Sequence, residues 1–167
     1  MDKNTFTQTV RNWLEKFLKK HLADSHEVLE VLIPESSLSK LNNEHIKSIA
    51  DYSSWDFKPD VIAILQQKDT EKITLAILNR SNSALSLKEI GEINLYAKLC
   101  GAEFAFLTSL NGISSEVSLL LIEDEIRERL LEYSPNKNII IFSWSEADNN
   151  VDSKSIVPLD AKKFLLS

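Results

Sequence analysis

Cysteine and glycine are scarce in this sequence, with one cysteine and three glycines among 167 residues. Because Cys100 is the only cysteine, no internal disulfide and no Cys-rich zinc site can form, which fits a reducing compartment. We therefore expect the protein to be cytoplasmic. The glycines form no Walker, Rossmann or Gly-x-Ser-x-Gly pattern, so the sequence predicts neither a nucleotide-cradling loop nor a hydrolase nucleophile elbow.

Long apolar runs and an excess of positive charge are also missing. No segment approaches the roughly 18 consecutive apolar residues of a membrane span. The amphipathic segment 1–22 lacks the apolar core of a signal peptide, so we expect neither membrane insertion nor secretion. The net charge of −6 argues against a general nucleic-acid binder, because neutralising phosphates requires a basic surface. A local basic groove is still compatible with this charge.

The overall composition is that of an ordinary globular protein. Apolar residues make up 43% of the chain and charged residues 26%, far from the composition of disordered chains. The length suits one domain with a sizeable core. We predict a single domain over 1–167, with its core at about 5–144 and a polar segment and C-terminal tail at 145–167.

Hydrophobic periodicity predicts the element order α-β-β-β-α-β-α-β. A first helix is expected from Thr5 to Leu22, opened by a capping box of Thr5 and Gln8. Residues 38–50 are expected to form a short helix or an irregular excursion. Strands are predicted at 27–33, 60–65, 73–78, 102–109 and 138–144.

Two further helices complete the predicted order. One runs from Ser86 to about Leu99 and ends at Gly101. The other is capped by Ser115 and ends before Pro135, with one apolar face formed by Leu119, Ile122, Ile126 and Leu130. Hairpins and helical crossovers in one chain imply an α/β fold, in which a mixed central sheet is flanked by helices on both faces.

Three short motifs lie on consecutive predicted elements. Residues 58–64 read KPDVIAI, residues 75–80 read LAILNR, and residues 92–97 read EINLYA. Together with the element order, they resemble the core of the PD-(D/E)XK (restriction endonuclease-like) nuclease superfamily over roughly 5–144. The resemblance implies that Asp60 stands where the family binds a divalent metal, Mg²⁺ or Mn²⁺. The third motif is similar to the Gln-x-x-x-Tyr signature of the RecB-like branch.

The chain departs from this family at the acid-x-lysine pair. Leu78 stands at the acid position and Arg80 at the lysine position. Strand residues two apart project to the same face, so both should point toward Asp60. Hydrolysis of a phosphodiester with a metal requires carboxylate oxygens, which Leu78 lacks. Arginine stays protonated, so Arg80 can hold a phosphate but is poorly suited to accept a proton from water. The two substitutions predict impaired catalysis.

A displaced acid could compensate for Leu78. Some restriction enzymes of this superfamily carry their catalytic glutamate on the following helix, about 13 residues beyond the lysine. Glu92 lies twelve positions after Arg80, and Glu89 lies one turn earlier. Either glutamate could join Asp60 as a metal ligand. The alternative interpretation is that Glu89 only completes a capping box with Ser86, and that Glu92 is an exposed helix acid.

Three functions remain open at this stage. The first is a catalytically impaired nuclease-like domain that acts by binding or assembly in nucleic-acid processing or a defence and restriction-type system. The second is an active endonuclease dependent on Mg²⁺ or Mn²⁺, with Asp60, Arg80 and Glu92 as its catalytic residues and Asp60, Glu92 and Glu89 as candidate ligands. The third is a non-enzymatic subunit that binds a partner protein, which the acidic surface favours over tight DNA binding.

Overall fold

A six-stranded mixed sheet with helices on both faces forms the centre of the computed structural model, which describes residues 1–167. The predicted α/β class, with a mixed central sheet flanked by helices, is confirmed. The predicted elements follow one another in the order α-β-β-β-α-β-α-β, but the structure contains additional short helices and strands. The helices are α1 (Lys3–His21), α2 (Glu44–Lys47), α3 (Leu87–Cys100), α4 (Ser115–Ile122), α5 (Asp124–Leu131) and α6 (Ala161–Leu166). The strands are β1 (His26–Leu32), β2 (Val61–Gln67), β3 (Ile73–Ser81), β4 (Phe104–Ser109), β5 (Glu132–Ser134), β6 (Lys137–Asn138), β7 (Ile140–Ser145) and β8 (Asn150–Val151).

The sheet order is β1-β2-β3-β4-β7-β8. The first three strands form the predicted antiparallel meander, and β3, β4 and β7 are parallel neighbours. Strand β8 adds an antiparallel edge, whereas β5 and β6 form a separate small hairpin. The segment between β1 and β2 contains α2 and two short 3₁₀ turns. A short helix was one of the two alternatives predicted for residues 38–50. No helix of the structure is long and apolar enough to cross a membrane.

Helix α1 covers one face of the sheet with a single apolar stripe. Its buried residues follow helical spacing and pack on inward-facing residues of β2, β3, β4 and β7: on the helix these are Phe6, Val10, Leu14, Phe17 and Leu18. The predicted capping box was wrong. Asp2 is the N-cap, because its carboxylate accepts the Thr5 backbone N–H at 2.8 Å and the Thr5 hydroxyl at 2.9 Å.

The opposite face is covered by α3, α4, α5 and the segment between β1 and β2. The single helix predicted before Pro135 is in fact two helices, which break at Glu123 in an extended conformation. The Arg127 guanidinium stabilises this break, because it donates to the Leu121 carbonyl at 3.0 Å and to the Asp124 carboxylate at 2.6 Å. The shared apolar face is lost, and Leu119 and Ile122 are 70% and 71% exposed.

The C-terminal segment belongs to the core beyond the predicted limit at 144. Val151, Ile156 and Leu165 are buried in the same apolar cluster as α1. Val157 also exchanges two backbone hydrogen bonds with Ile141 on β7, at 2.7 and 2.8 Å. The polar stretch after β7 is therefore a connection between packed elements.

Candidate functional site

Asp60 lies directly before β2 and is held by two consecutive residues of β3. Its carboxylate Oδ2 accepts the backbone N–H of Arg80 at 2.9 Å. Its own backbone N–H donates to the side-chain oxygen of Asn79 at 3.1 Å. These bonds fix the carboxylate at the end of the β2–β3 pair, where the resemblance predicted it.

Arg80 is oriented by the helix on the same face of the sheet. Its Nε donates to the hydroxyl of Thr7 on α1 at 2.7 Å. The same hydroxyl donates its own proton to the Lys3 carbonyl at 2.9 Å. The two terminal nitrogens of Arg80 have no hydrogen-bond partner within the protein. One edge of the guanidinium is thus fixed, and the other can bind a ligand.

A polar cleft of about 510 Å³ surrounds these groups. Three of its side chains are cationic, namely Lys3, Lys58 and Arg80, and Asp60 is its single carboxylate. Only Ile33, Pro34 and Pro59 are apolar. Asn4, Thr7 and Gln8 on the first turns of α1 complete the lining. The cleft is a local positive region in a chain whose net charge is −6.

Leu78 points to the same face as Arg80, as predicted, but not into the cleft. It is fully buried in the apolar cluster under α1, next to Val61 across the β2–β3 ladder. Its place is therefore part of the core. An ionised carboxylate in that position would be desolvated without a partner, which is energetically costly.

The two helix glutamates have partners on α3 itself. Glu89 accepts from the backbone N–H of Ser86 at 2.9 Å and from the Ser86 hydroxyl, so the predicted capping box is confirmed. Burial acts to raise the pKa of Glu89, but the hydrogen bonds from Ser86 outweigh it and lower the pKa. Glu92 is exposed and accepts from the Tyr96 hydroxyl at 3.1 Å.

Tyr96, in the third motif, packs against the segment that precedes Asp60. Its ring stacks on Phe57 with centroids 4.6 Å apart. Burial raises the pKa of Tyr96 to about 12, with contributions from the negative charges of Glu92 and then Asp60. The side of α3 that carries Tyr96 therefore packs against the segment that leads into β2.

The side chains in this arrangement do not fit a divalent cation. Asp60 is the only carboxylate in the cleft, one of its oxygens already accepts a hydrogen bond, and three cations lie around it. No cluster of three or more His, Cys, Asp or Glu side chains could hold a metal ion elsewhere in the structure. The metal-binding roles of Asp60, Glu92 and Glu89, and the catalytic role of Arg80, stay predictions for a cleavage assay.

No other reactive group suggests a second active site. Burial raises the pKa of the Cys100 thiol to about 12, so the thiolate needed for nucleophilic chemistry does not form at neutral pH.

Comparison with known proteins identifies no matching family model and no similar curated protein. The chemistry of the Asp60 cleft must therefore be interpreted from its own residues.

Thr7 and Lys3 are cleft residues that sequence reasoning missed. Thr7 is 7% exposed on the otherwise apolar stripe of α1. A hydroxyl on such a stripe is a signal for a buried polar partner, since burying it unpaired is costly. Periodicity alone could not identify Arg80 as that partner, because 73 residues separate the two.

Proposed function

We propose that this domain binds the phosphate backbone of nucleic acid in the Asp60 cleft without hydrolysing it. The observation that carries the proposal is the Arg80 guanidinium, which is held by Thr7 on one edge and free on the other, in a cleft that Lys3 and Lys58 also line. Guanidinium and ammonium groups around a polar cleft are the usual protein ligands for phosphate. Only a short stretch of backbone fits this cleft, so the affinity should depend on few phosphates.

Loss of hydrolysis follows from the same arrangement. The acid position is occupied by a core leucine, and the lysine position by an arginine that remains charged. The acidic remainder of the surface favours binding at this one locality over coating of a long duplex. The buried thiol of the only cysteine fits a reducing compartment, and we place the protein in the cytoplasm.

Binding is tested by fluorescence anisotropy with labelled single- and double-stranded DNA and RNA at low and moderate salt. We expect Arg80→Ala to weaken binding about tenfold or more, because it removes a charge-assisted phosphate contact. Lys58→Ala should weaken binding by a smaller factor. The slope of log affinity against log salt concentration should fall by the amount expected for about one phosphate contact. Lys163→Ala on α6 removes the same charge outside the cleft and should leave binding unchanged.

Cleavage is tested with the same substrates in Mg²⁺ and in Mn²⁺. We expect no products from the wild-type protein. Cleavage that disappears in both Asp60→Ala and Glu92→Gln would overturn the proposal and establish the displaced-acid endonuclease. Absence of binding to every nucleic acid would also overturn it, and would favour the protein-binding subunit.

A further inference from the structure

Exposed apolar side chains are concentrated on α3 and α4. Five of the nine large hydrophobic residues that are exposed lie on these two helices: Leu87, Leu95, Leu99, Leu119 and Ile122. On α3, Leu87 and Leu95 are two helical turns apart and are 48% and 53% exposed. They border a groove of about 390 Å³ that also reaches Leu130 on α5. The outward-facing sides of α3 and α4 therefore carry apolar side chains that no other part of the protein covers.

Gly91 lies midway between these two leucines, in the interior of α3. Glycine in a helix interior costs about 1 kcal/mol relative to alanine. No atom outside the local helix lies within 4 Å of the position that a Cβ would occupy. Nothing within the protein therefore requires a glycine here. What it does provide is a flat point on the helix surface, at which another helix can approach closely.

The spacing of the three residues is symmetric about Gly91. Leu87 and Leu95 stand four residues before and four residues after it, on the same side of the helix. An antiparallel copy of α3, centred on Gly91, would place Leu87 against the partner's Leu95 and the two glycines at the crossing point. The pattern is thus self-complementary, which is the requirement for a two-fold symmetric interface.

The charges beside this stripe are complementary in the same register. Lys88 and Glu92 are exposed and flank the stripe on one side. At 1.5 Å rise per residue, antiparallel pairing centred on Gly91 sets Lys88 about 3 Å along the axis from the partner's Glu92. Two-fold symmetry forms this pair twice. The match favours a second copy of this chain over an unrelated helix as the occupant.

We propose that the protein forms a two-fold symmetric dimer in which α3 packs antiparallel against the partner's α3 across Gly91. The interface buries Leu87 and Leu95 and forms two Lys88–Glu92 ion pairs. It uses no cationic residue of the Asp60 cleft. The dimer is therefore independent of the nucleic-acid proposal, and each can fail without the other.

Sedimentation equilibrium over micromolar to millimolar concentration tests the dimer directly. We expect a concentration-dependent monomer–dimer equilibrium for the wild-type protein. Leu95→Glu should raise the dissociation constant about a hundredfold or more, since it buries an unpaired charge in the interface opposite the partner's Leu87. Leu95 is exposed in the single chain, so the variant should still fold. Leu159→Glu, at a residue 77% exposed in the C-terminal segment, is the matched control and should dimerise normally.

Gly91→Ala separates the interface from a purely local role. Alanine is the better helix former, so the monomer should melt at a higher temperature. The added methyl group separates the two helices, so the dissociation constant should rise about tenfold through lost packing. Opposite changes in monomer stability and dimer affinity are the signature of a glycine required by the partner.

The register is tested by exchanging charges. Lys88→Glu should raise the dissociation constant about tenfold, because it creates two like-charge contacts. Adding Glu92→Lys to this variant should restore affinity. A protein that stays monomeric at millimolar concentration would overturn the proposal. So would a dimer that tolerates Leu95→Glu, or a charge exchange that fails to restore a weakened dimer.

Discussion

The two faces of the central sheet are covered in different ways. One face is covered by the 19-residue helix α1 together with the C-terminal segment, and most of the aromatic side chains of the protein lie on this face. These include Phe6, Trp13, Phe17, Phe106, Phe142 and Trp144. The other face is covered by three shorter helices and an irregular segment, and its core is largely aliphatic.

The difference bears on where function can reside. We call the α1 face the closed face, because α1 and the C-terminal segment bury most of its apolar side chains. The polar cleft, which Thr7 and Arg80 line, lies at its end. The α3–α5 layer buries apolar side chains on its inner side but leaves Leu87, Leu95 and Leu119 between 48% and 70% exposed on its outer side. A small ligand is therefore expected at the end of the closed face, and a protein surface on the outside of the open layer.

The most severe test of the closed face is Leu78→Glu, which places an acid in the apolar core under α1. Leu78 is 0% exposed, so we expect a loss of about 4 kcal/mol or more in the free energy of unfolding, measured by urea denaturation. Leu78→Met keeps the apolar volume and should cost less than about 1.5 kcal/mol. A glutamate variant as stable as the wild type would show that this position opens to solvent.

A second comparison removes the same side chain volume from each layer. Leu14 is fully buried under α1, whereas Leu119 is 70% exposed on α4. Leu14→Ala should lower the free energy of unfolding by about 3 kcal/mol. Leu119→Ala should change it by less than about 0.5 kcal/mol. Equal losses in thermal denaturation would contradict the assignment of one closed and one open face.

The smallest effect concerns the cap that starts α3. Ser86→Ala should cost about 1 kcal/mol of stability. The Ser86 hydrogen bonds hold the pKa of Glu89 below its usual 4.5. A carboxyl group whose pKa is lowered by folding stabilises the folded protein at pH values above its unfolded-state pKa. This stabilisation is lost as the pH falls from about 4.5 through the folded-state pKa.

Glu89→Gln checks the pH dependence of this cap. The variant should lose less stability than the wild type between pH 5 and acidic pH, because one shifted carboxyl is absent. Unfolding curves at matched pH values measure the difference. Identical acid sensitivity in the two proteins would mean that the Ser86–Glu89 bonds contribute nothing to the folded state.

Much of the sheet could be predicted because its strands are strongly patterned. The continuous apolar runs that became β2 and β3 are short, are bounded by polar turns and are buried on both faces, which distinguishes them from amphipathic helices. The capping box of Ser86 and Glu89 could also be predicted from the sequence, because its two members lie three residues apart. Such signals depend on neighbours in sequence.

The errors arose where individual side-chain hydrogen bonds decide the structure. The pattern from Leu119 to Leu130 keeps helical spacing through Glu123, so periodicity predicts one helix. The break depends on Arg127 bonding back to the Leu121 carbonyl, which no spacing rule contains. Likewise, the Asp2 cap differs from the predicted Thr5 cap by three residues, although both have suitable side chains. The Thr7–Arg80 contact needs the sheet and helix to be assembled first.

That contact makes Arg80 difficult to replace by a single substitution. Arg80→Lys would shorten the side chain and replace a planar group that has two binding edges by one ammonium, leaving the buried Thr7 hydroxyl without its donor. An acid at 78 would meet the apolar core. A tolerated replacement of Arg80 would therefore require a second change on α1, so the helix and the strand can change at this point only together.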